Sequence, residues 1–226
     1  MRLFAVTLWL ALWPVAAAHG QSASRFELGL VARLDRMLIE GGASGGTGVA
    51  GVAASYRLWK EYGVEAELTG ASNEVERSYE GWFISYAQGP NLTREEIERL
   101  APIARRSLGY TPGLGWSTAF VARRDISPRV RIAGRAGISA RRFTERSTYA
   151  ILSIPAGVDP SRVARDFQDT TISRTRGGFL FGVDISVALA DRLSIAPELR
   201  FVYGGPARVG NKYRELGAGV RGVWRF

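Results

Sequence analysis

The feature that most constrains this chain is an alternation of apolar and polar residues with a period of two, repeated in segments of about ten residues. It is plainest over Tyr213 to Phe226. There Leu216, Ala218, Val220, Gly222, Trp224 and Phe226 are expected on one face of an extended strand, and Arg214, Arg221 and Arg225 on the other. Successive side chains of a strand point to opposite sides, so the pattern describes a ribbon with one apolar and one polar face, ending in an aromatic residue. Although 46% of the chain is hydrophobic, after Gly20 those residues stand singly between polar ones and form no run long enough for a spanning helix. That distribution is the signature of a barrel.

The same rhythm recurs upstream. Arg25 to Leu34 sets Phe26, Leu28, Leu30, Ala32 and Leu34 against Arg25, Glu27, Gly29, Val31 and Arg33. Gly48 to Leu58 sets Ala50, Val52, Ala54, Tyr56 and Leu58 against Gly51, Ser55 and Arg57, and Tyr62 to Ala71 sets Val64, Ala66 and Leu68 against Glu65 and Glu67. Leu108 to Ala122 places Tyr110, Leu114, Trp116 and Phe120 opposite Gly109, Gly113, Gly115 and Ser117, before a tight turn at Arg123 to Pro128. Arg129 to Arg141 opposes Val130, Ile132, Ala136, Ile138 and Ala140 to Arg129, Arg131, Arg135, Ser139 and Arg141. Phe179 to Leu189 exposes Asp184 and Ser186 on its polar side. Leu193 to Tyr203 does the same with Ser194, Glu198 and Arg200, and Pro197 on its apolar face predicts a local bulge.

With the terminal segment there are about eight strands, each of the length that a tilted strand needs to cross a bilayer core. The expected architecture is all-β: a closed up-and-down antiparallel transmembrane barrel. Connections are short near Trp59, Asp125 and Asp191, and long at residues 35 to 47, 72 to 107, 142 to 177 and 204 to 212. Both chain ends and the short turns then lie on one side, with four long loops on the other. Within the second long loop, Thr93-Arg-Glu-Glu96 has capping-box spacing and predicts a helix with Ile97, Leu100 and Ile103 as its apolar stripe, bent or ended by Pro102.

Residues 1–20 have the three parts of a secretory leader: Arg2, an apolar stretch interrupted by Pro14, and small residues at Ala16 to Ala18 and Gly20, which offer two competing cleavage sites. Residues 21–226 are then the mature single domain. Removing Arg2 with the leader leaves 29 basic against 21 acidic residues, a net +8. In an exported protein this suits an anionic outer-leaflet lipid, and no nucleic-acid partner is expected. Cysteine is absent, so no disulfide supports the fold.

An eight-stranded lumen is just wide enough for side chains to fill. Buried charges need partners, so Glu27, Glu65, Glu67, Asp184 and Glu198 are expected to pair across it with Arg33, Arg57, Arg131, Arg135, Arg200 and Arg221. The interior is then plugged, with at best a narrow water path. Glu65 and Glu67 are spaced as on any inward polar face and do not by themselves indicate acid–base catalysis. The single histidine, His19, falls in or beside the leader, so histidine-based nucleophilic or metal chemistry is excluded from the barrel, as is thiol chemistry. No catalytic, cofactor-binding or metal-ligating residue is expected. Gly41 to Gly48 lacks a P-loop lysine and reads as a flexible loop. Aromatics at strand ends are expected to form interfacial girdles: Tyr56, Trp59, Tyr62, Trp224 and Phe226 at the short-turn end, and Tyr110, Phe143, Tyr203 and Tyr213 at the other.

With its leader, Gly63-Val-Glu-Ala-Glu67 after a short turn, Ile195-Ala-Pro-Glu-Leu-Arg-Phe201 and the terminal Val223-Trp-Arg-Phe226, the chain resembles the small outer-membrane barrels of Gram-negative bacteria: the OmpA-type transmembrane domain and its single-domain relatives. The resemblance covers most of the mature chain. It implies residence in the cell outer membrane among lipid and lipopolysaccharide, and a role for Phe226 with Trp224 in the signal read by the barrel-assembly machinery. It departs from the full OmpA arrangement in having no peptidoglycan-binding domain after the last strand. A non-enzymatic barrel presenting loops to an unknown surface ligand is the first expectation. A small porin-like channel for ions or water is the second, and a soluble exported lipocalin-like binding barrel, with its apolar residues inside, the third.

Overall fold

The computed structural model describes residues 25–39, 43–82, 93–204 and 213–226. The expected leader lies outside them. Nine strands appear in chain order: β1 (Phe26–Ile39), β2 (Ala43–Trp59), β3 (Tyr62–Ala71), β4 (Val75–Trp82), β5 (Ile103–Ser127), β6 (Val130–Ser153), β7 (Thr170–Ala188), β8 (Leu193–Gly204) and β9 (Tyr213–Arg225). Helix α1 (Arg94–Leu100) precedes β5, and α2 (Pro160–Asp166) lies between β6 and β7. All pairings are antiparallel. The order β3-β2-β1-β9-β8-β7-β6-β5 closes through a β3–β5 ladder into a ring of eight. β4 continues the path of β3 after Ser72-Asn73-Glu74 and pairs with the first part of β5. Asn73, in the left-handed region at φ 74°, makes that break.

The last strand meets the first. β1 and β9 pair from Glu27↔Arg225 to Ile39↔Tyr213, and the Phe226 amide donates to the Phe26 carbonyl at 3.0 Å. Leu30, Leu34, Phe120, Phe181 and Leu199 point outward, with Leu34 77% exposed, while Arg33, Glu65, Glu67, Glu198 and Arg221 are buried inside. The lipocalin-like arrangement is thereby overturned, because it requires the opposite facing. Among the described residues no helix is long and apolar enough to cross a membrane; the strands carry the apolar belt.

Several strands run further than their alternation indicated. β1 and β2 extend to Ile39 and back to Ala43, so the connection expected at 35–47 shrinks, and Ala43 to Gly48, read as loop, is strand; Gly41 and Gly42 lie outside the described residues. β5 and β6 contain 25 and 24 residues, which consume much of the loops expected at 72–107 and 142–177. The turn placed at 123–128 is tighter, with β5 running to Ser127 and the reversal at Pro128-Arg129. At about 3.3 Å per residue such strands reach about 80 Å, well beyond the roughly 10 residues that cross a bilayer. Outside hydrocarbon the outer face of the sheet meets water, and the alternation that marks a strand fades. The expected loop at 204–212 lies outside the described residues except Gly204, which ends β8.

Three local expectations are corrected. Pro197 sits in β8 without a bulge: the β7 register is the same at Asp184↔Glu198 and Val187↔Ile195, and Pro197 pairs with Val220 of β9. A bulge does occur in β5, where Pro112↔Phe143 is followed by Gly115↔Arg141. One extra residue there reverses the facing, so Tyr110 turns inward while Trp116 and Phe120 face outward. Arg214 shares the outward face with Leu216, as parity requires, and its guanidinium lies 5.7 Å from the Tyr203 ring centroid.

Helix α1 starts where the capping box indicated. The Glu96 carboxylate accepts from the Thr93 amide at 2.8 Å, and the Thr93 hydroxyl accepts from the Glu96 amide at 3.3 Å. The helix ends before Pro102, and Ile103 belongs to β5 rather than to an apolar helical stripe. In α2, which had no counterpart in the expected elements, Asp159 caps by accepting from the Ser161 amide at 2.9 Å.

Candidate functional site: the barrel lumen

Inward positions of the strands stack into layers along the barrel axis, because residues two apart on each strand face the same way. The middle layer is ionic. Arg221 of β9 reaches Glu65 at 2.6 Å, Glu67 at 3.0 Å and Glu198 at 3.0 Å. Arg33 of β1 reaches Glu67 at 3.1 Å and Glu198 at 3.0 Å, and its Nε lies 3.2 Å from Asp35. Arg135 of β6 bridges Glu65, at 3.0 Å, and Asp184, while Arg200 of β8 pairs with Glu67. Every side chain in this set is under a tenth exposed. Most of these carboxylates face two or three guanidiniums, the multiple pairing that makes such burial tolerable.

Towards the short-turn end lie the other sequence-predicted charges. Glu27 is approached by Arg131 at 3.2 Å and Arg57 at 3.7 Å, and also by Arg123 at 3.4 Å and Arg225 at 3.5 Å. A polar cavity of about 30 Å³, room for a water molecule or so, opens here between Glu27, Ser55, Arg123, Arg131 and Arg225 and runs inward to Glu65 and Arg221.

Towards the long loops the lumen closes. Arg141 and Glu215 pair at 3.5 Å, and beyond them Met37, Val75, Phe143 and Tyr213 are buried almost completely. The Phe143 and Tyr213 rings meet edge-on with centroids 5.6 Å apart. Tyr110 belongs to the same cluster. These three aromatics were expected in the outer girdle and are instead an internal plug. The β5 bulge turns Tyr110 inward, and Phe143 and Tyr213 hold inward parity. Tyr203 remains outward. At the other end Trp59, Tyr62, Trp224 and Phe226 are exposed on the outer face, Tyr56 is half-buried, and Tyr62 stacks on both Trp59 and Phe120.

All eleven lumen charges named from the sequence face the interior, but in two groups: Glu27, Arg57 and Arg131 at the mouth, the rest in the middle layer. Sequence reasoning missed Asp35, Arg123, Arg141, Glu215 and the Glu145–Arg176 pair. Asp35 and Arg123 were assigned to connections. Glu215 was available on parity alone, two residues before Gly217 on the inward face of β9.

Gly217 shows how tightly the layers pack. A Cβ there would collide with the Asp35 carboxylate and approach the Arg33 side chain at 3.4 Å, so any larger residue would force Asp35 to move off its place beside Arg33.

No protein-family model matches the sequence, and no curated protein matches it. Solved structures do. Neisserial surface protein A is 17% identical, with 91% of this chain aligned to 100% of that one at a TM-score of 0.50. Ail of Yersinia pestis, crystallised with the heparin analogue sucrose octasulfate, is 10% identical over 90% of this chain and all of its own, at 0.44. OprG of Pseudomonas aeruginosa is 10% identical over 92% and 99%, at 0.43. The fold is that of the small eight-stranded outer-membrane barrels.

Proposed function

We propose that this chain is a non-enzymatic integral protein of the outer membrane, in which a sealed barrel anchors long strand hairpins that make contacts at the cell surface. One observation carries the reading: the lumen is crossed by ion pairs whose side chains are almost fully buried, and is capped above them by Met37, Phe143 and Tyr213. A conducting pore needs a continuous hydrated path, and buried ion pairs beneath an aromatic cap oppose one. The outward apolar belt, with Trp59, Tyr62 and Trp224 at its short-turn edge, supports placement in a bilayer with the short turns on the periplasmic side. Outer-membrane lipid and lipopolysaccharide are then the immediate surroundings, and Trp224 with Phe226 the element presented to the assembly machinery. Extension of β5 and β6 beyond the belt carries α1 and α2 away from the membrane, where they are placed to meet a ligand.

Planar-bilayer recording of the refolded protein tests the sealed lumen. No stable open steps are expected. Open steps whose conductance changes on Glu65→Gln or Arg135→Gln would overturn the reading in favour of a small channel.

A further inference from the structure

The short-turn mouth differs from the rest of the lumen in its charge balance. In the layers above it, Arg33, Arg135, Arg141, Arg200 and Arg221 are answered by Asp35, Glu65, Glu67, Asp184, Glu198 and Glu215. At the mouth, Arg57, Arg123, Arg131 and Arg225 converge on one part-buried carboxylate, Glu27, with Asp125 joining Arg131 from the outside at 2.6 Å. Glu27 has two oxygens for four guanidiniums, and the shortfall is visible. Arg123, its side chain only 7% exposed, spends one nitrogen on Ser55 at 2.5 Å, and its Nη1 is buried without a hydrogen-bond partner. Arg225 Nε makes no hydrogen bond and has only the 3.5 Å ion pair to Glu27 Oε1. Unpartnered buried donors are costly, and two on guanidiniums facing one cavity call for an acceptor.

We propose that this mouth is an oxyanion site, taking a phosphate group at its solvent-facing rim between Arg57, Arg131 and Arg225, with one phosphate oxygen in the water-sized cavity beside Arg123. Each guanidinium offers a planar fork suited to phosphate oxygens, and an anion of charge near −2 would balance the two surplus cations. Access is open from the short-turn side: Arg57 and Arg225 are each 21% exposed and Arg131 16%. The two available sources of this chemistry are free inorganic phosphate and the phosphate of a phospholipid headgroup. The guanidiniums face the lumen, away from the lipid surface, which favours the soluble anion.

The test is calorimetric titration of inorganic phosphate into the full refolded barrel in phosphatidylcholine nanodiscs, against chloride at matched ionic strength. Saturable phosphate binding is expected, weakened about tenfold by Arg123→Gln, the effect of losing one charge-assisted contact. Glu27→Gln is expected to tighten it, and Arg129→Gln in the exposed turn to leave it unchanged. Heat-modifiable gel migration checks that each variant is folded, and should Arg123→Gln not fold, the opposite sign expected of Glu27→Gln still decides. Repeating the titration in alkyl-glucoside micelles, which contain no phosphate, separates the sources: unaltered affinity assigns the site to the soluble anion, and tighter binding than in the phospholipid disc reveals a competing headgroup. No phosphate binding above the chloride control, or equal binding by the wild type and both mouth variants, overturns the proposal. Conductance plays no part in this readout, so it stands apart from the sealed-lumen reading.

Discussion

Arg221 Nη1 on β9 and Glu65 Oε2 on β3 lie 2.6 Å apart although their strands share no ladder and 156 residues separate them. The pair is a strut across the lumen, and it ties the last strand of the ring to the third. Removing Arg221 takes one guanidinium from Glu65, Glu67 and Glu198 at once and leaves Arg135, Arg33 and Arg200 to hold them. Arg221→Met is therefore expected to destabilise the protein by about 3–5 kcal/mol, the usual consequence of breaking buried ion pairs by removing one partner. Urea unfolding in detergent micelles measures it. A loss below about 1 kcal/mol would mean that water already solvates the layer.

Val183 faces outward between Gly134 of β6 and Leu199 of β8. Arginine at this position is expected to cost about 2–4 kcal/mol if Val183 lies near the bilayer midplane, and about 0–1 kcal/mol at Leu189 near the short-turn edge. Folding yield into vesicles for the two variants reports the depth directly. Equal penalties would contradict the placement of the belt.

The parts of the fold that were legible in the sequence are those that touch hydrocarbon. In β3, β8 and the belt portion of β7, Val64, Leu199 and Phe181 need an apolar neighbour while Glu65, Glu198 and Asp184 need the lumen, so every second residue carries information. Above the belt that demand lapses. Arg105, Ser107, Arg146 and Thr171 are strand residues in water on their outward side, and composition there looks like loop. The β5 bulge was signalled only by Pro112 and Gly113, residues that also mark ordinary turns, and missing it put Tyr110 on the wrong face. The lumen charges were readable by parity, but their grouping into layers was not. Which arginine meets which carboxylate depends on the stagger between strands, a property of the closed ring.

The aromatic plug makes its own prediction. Phe143 is 1% exposed and packs edge-on to Tyr213. Phe143→Ala is expected to cost about 3–5 kcal/mol and to leave a cavity above the ionic layer. Because Arg141 and Glu215 still close the lumen below, no conductance is expected to appear, which separates packing from sealing when stability and bilayer recordings are made on the same preparation.

Both loop helices are held by carboxylates whose pKa lies below the ordinary range: Glu96 because the Thr93 amide donates to it, Asp159 because the Ser161 hydroxyl does. A depressed folded-state pKa gives stabilisation that is complete above the unfolded value, about 4, and lost as pH falls through the folded value. Amide protection in α1 and α2, taken relative to the intrinsic exchange rate at each pH, should thus fall below about pH 4. Asp159→Asn, which keeps a capping oxygen without the charge, is expected to remove the pH step in α2 and leave that of α1.

The contact that Phe226 makes in the barrel can be separated from the assembly role proposed for it. Its amide donates to the Phe26 carbonyl at 3.0 Å, and its ring lies 6.2 Å from that of Phe26, so it helps close β9 onto β1. The ring is also 63% exposed on the outer face beside the end of the strand, where an assembly factor can reach it. Closure rests mainly on the ladder from Glu27↔Arg225 to Ile39↔Tyr213, which a side-chain change at the last residue leaves intact. Phe226→Ser is therefore expected to fold into synthetic vesicles with a loss of about 1 kcal/mol or less, the scale of a half-exposed ring contact. In cells the same variant is expected to lose most of its heat-modifiable, membrane-inserted form. Equal impairment in vesicles and in cells would make Phe226 a structural residue alone, and normal assembly in cells would remove it from the recognition element.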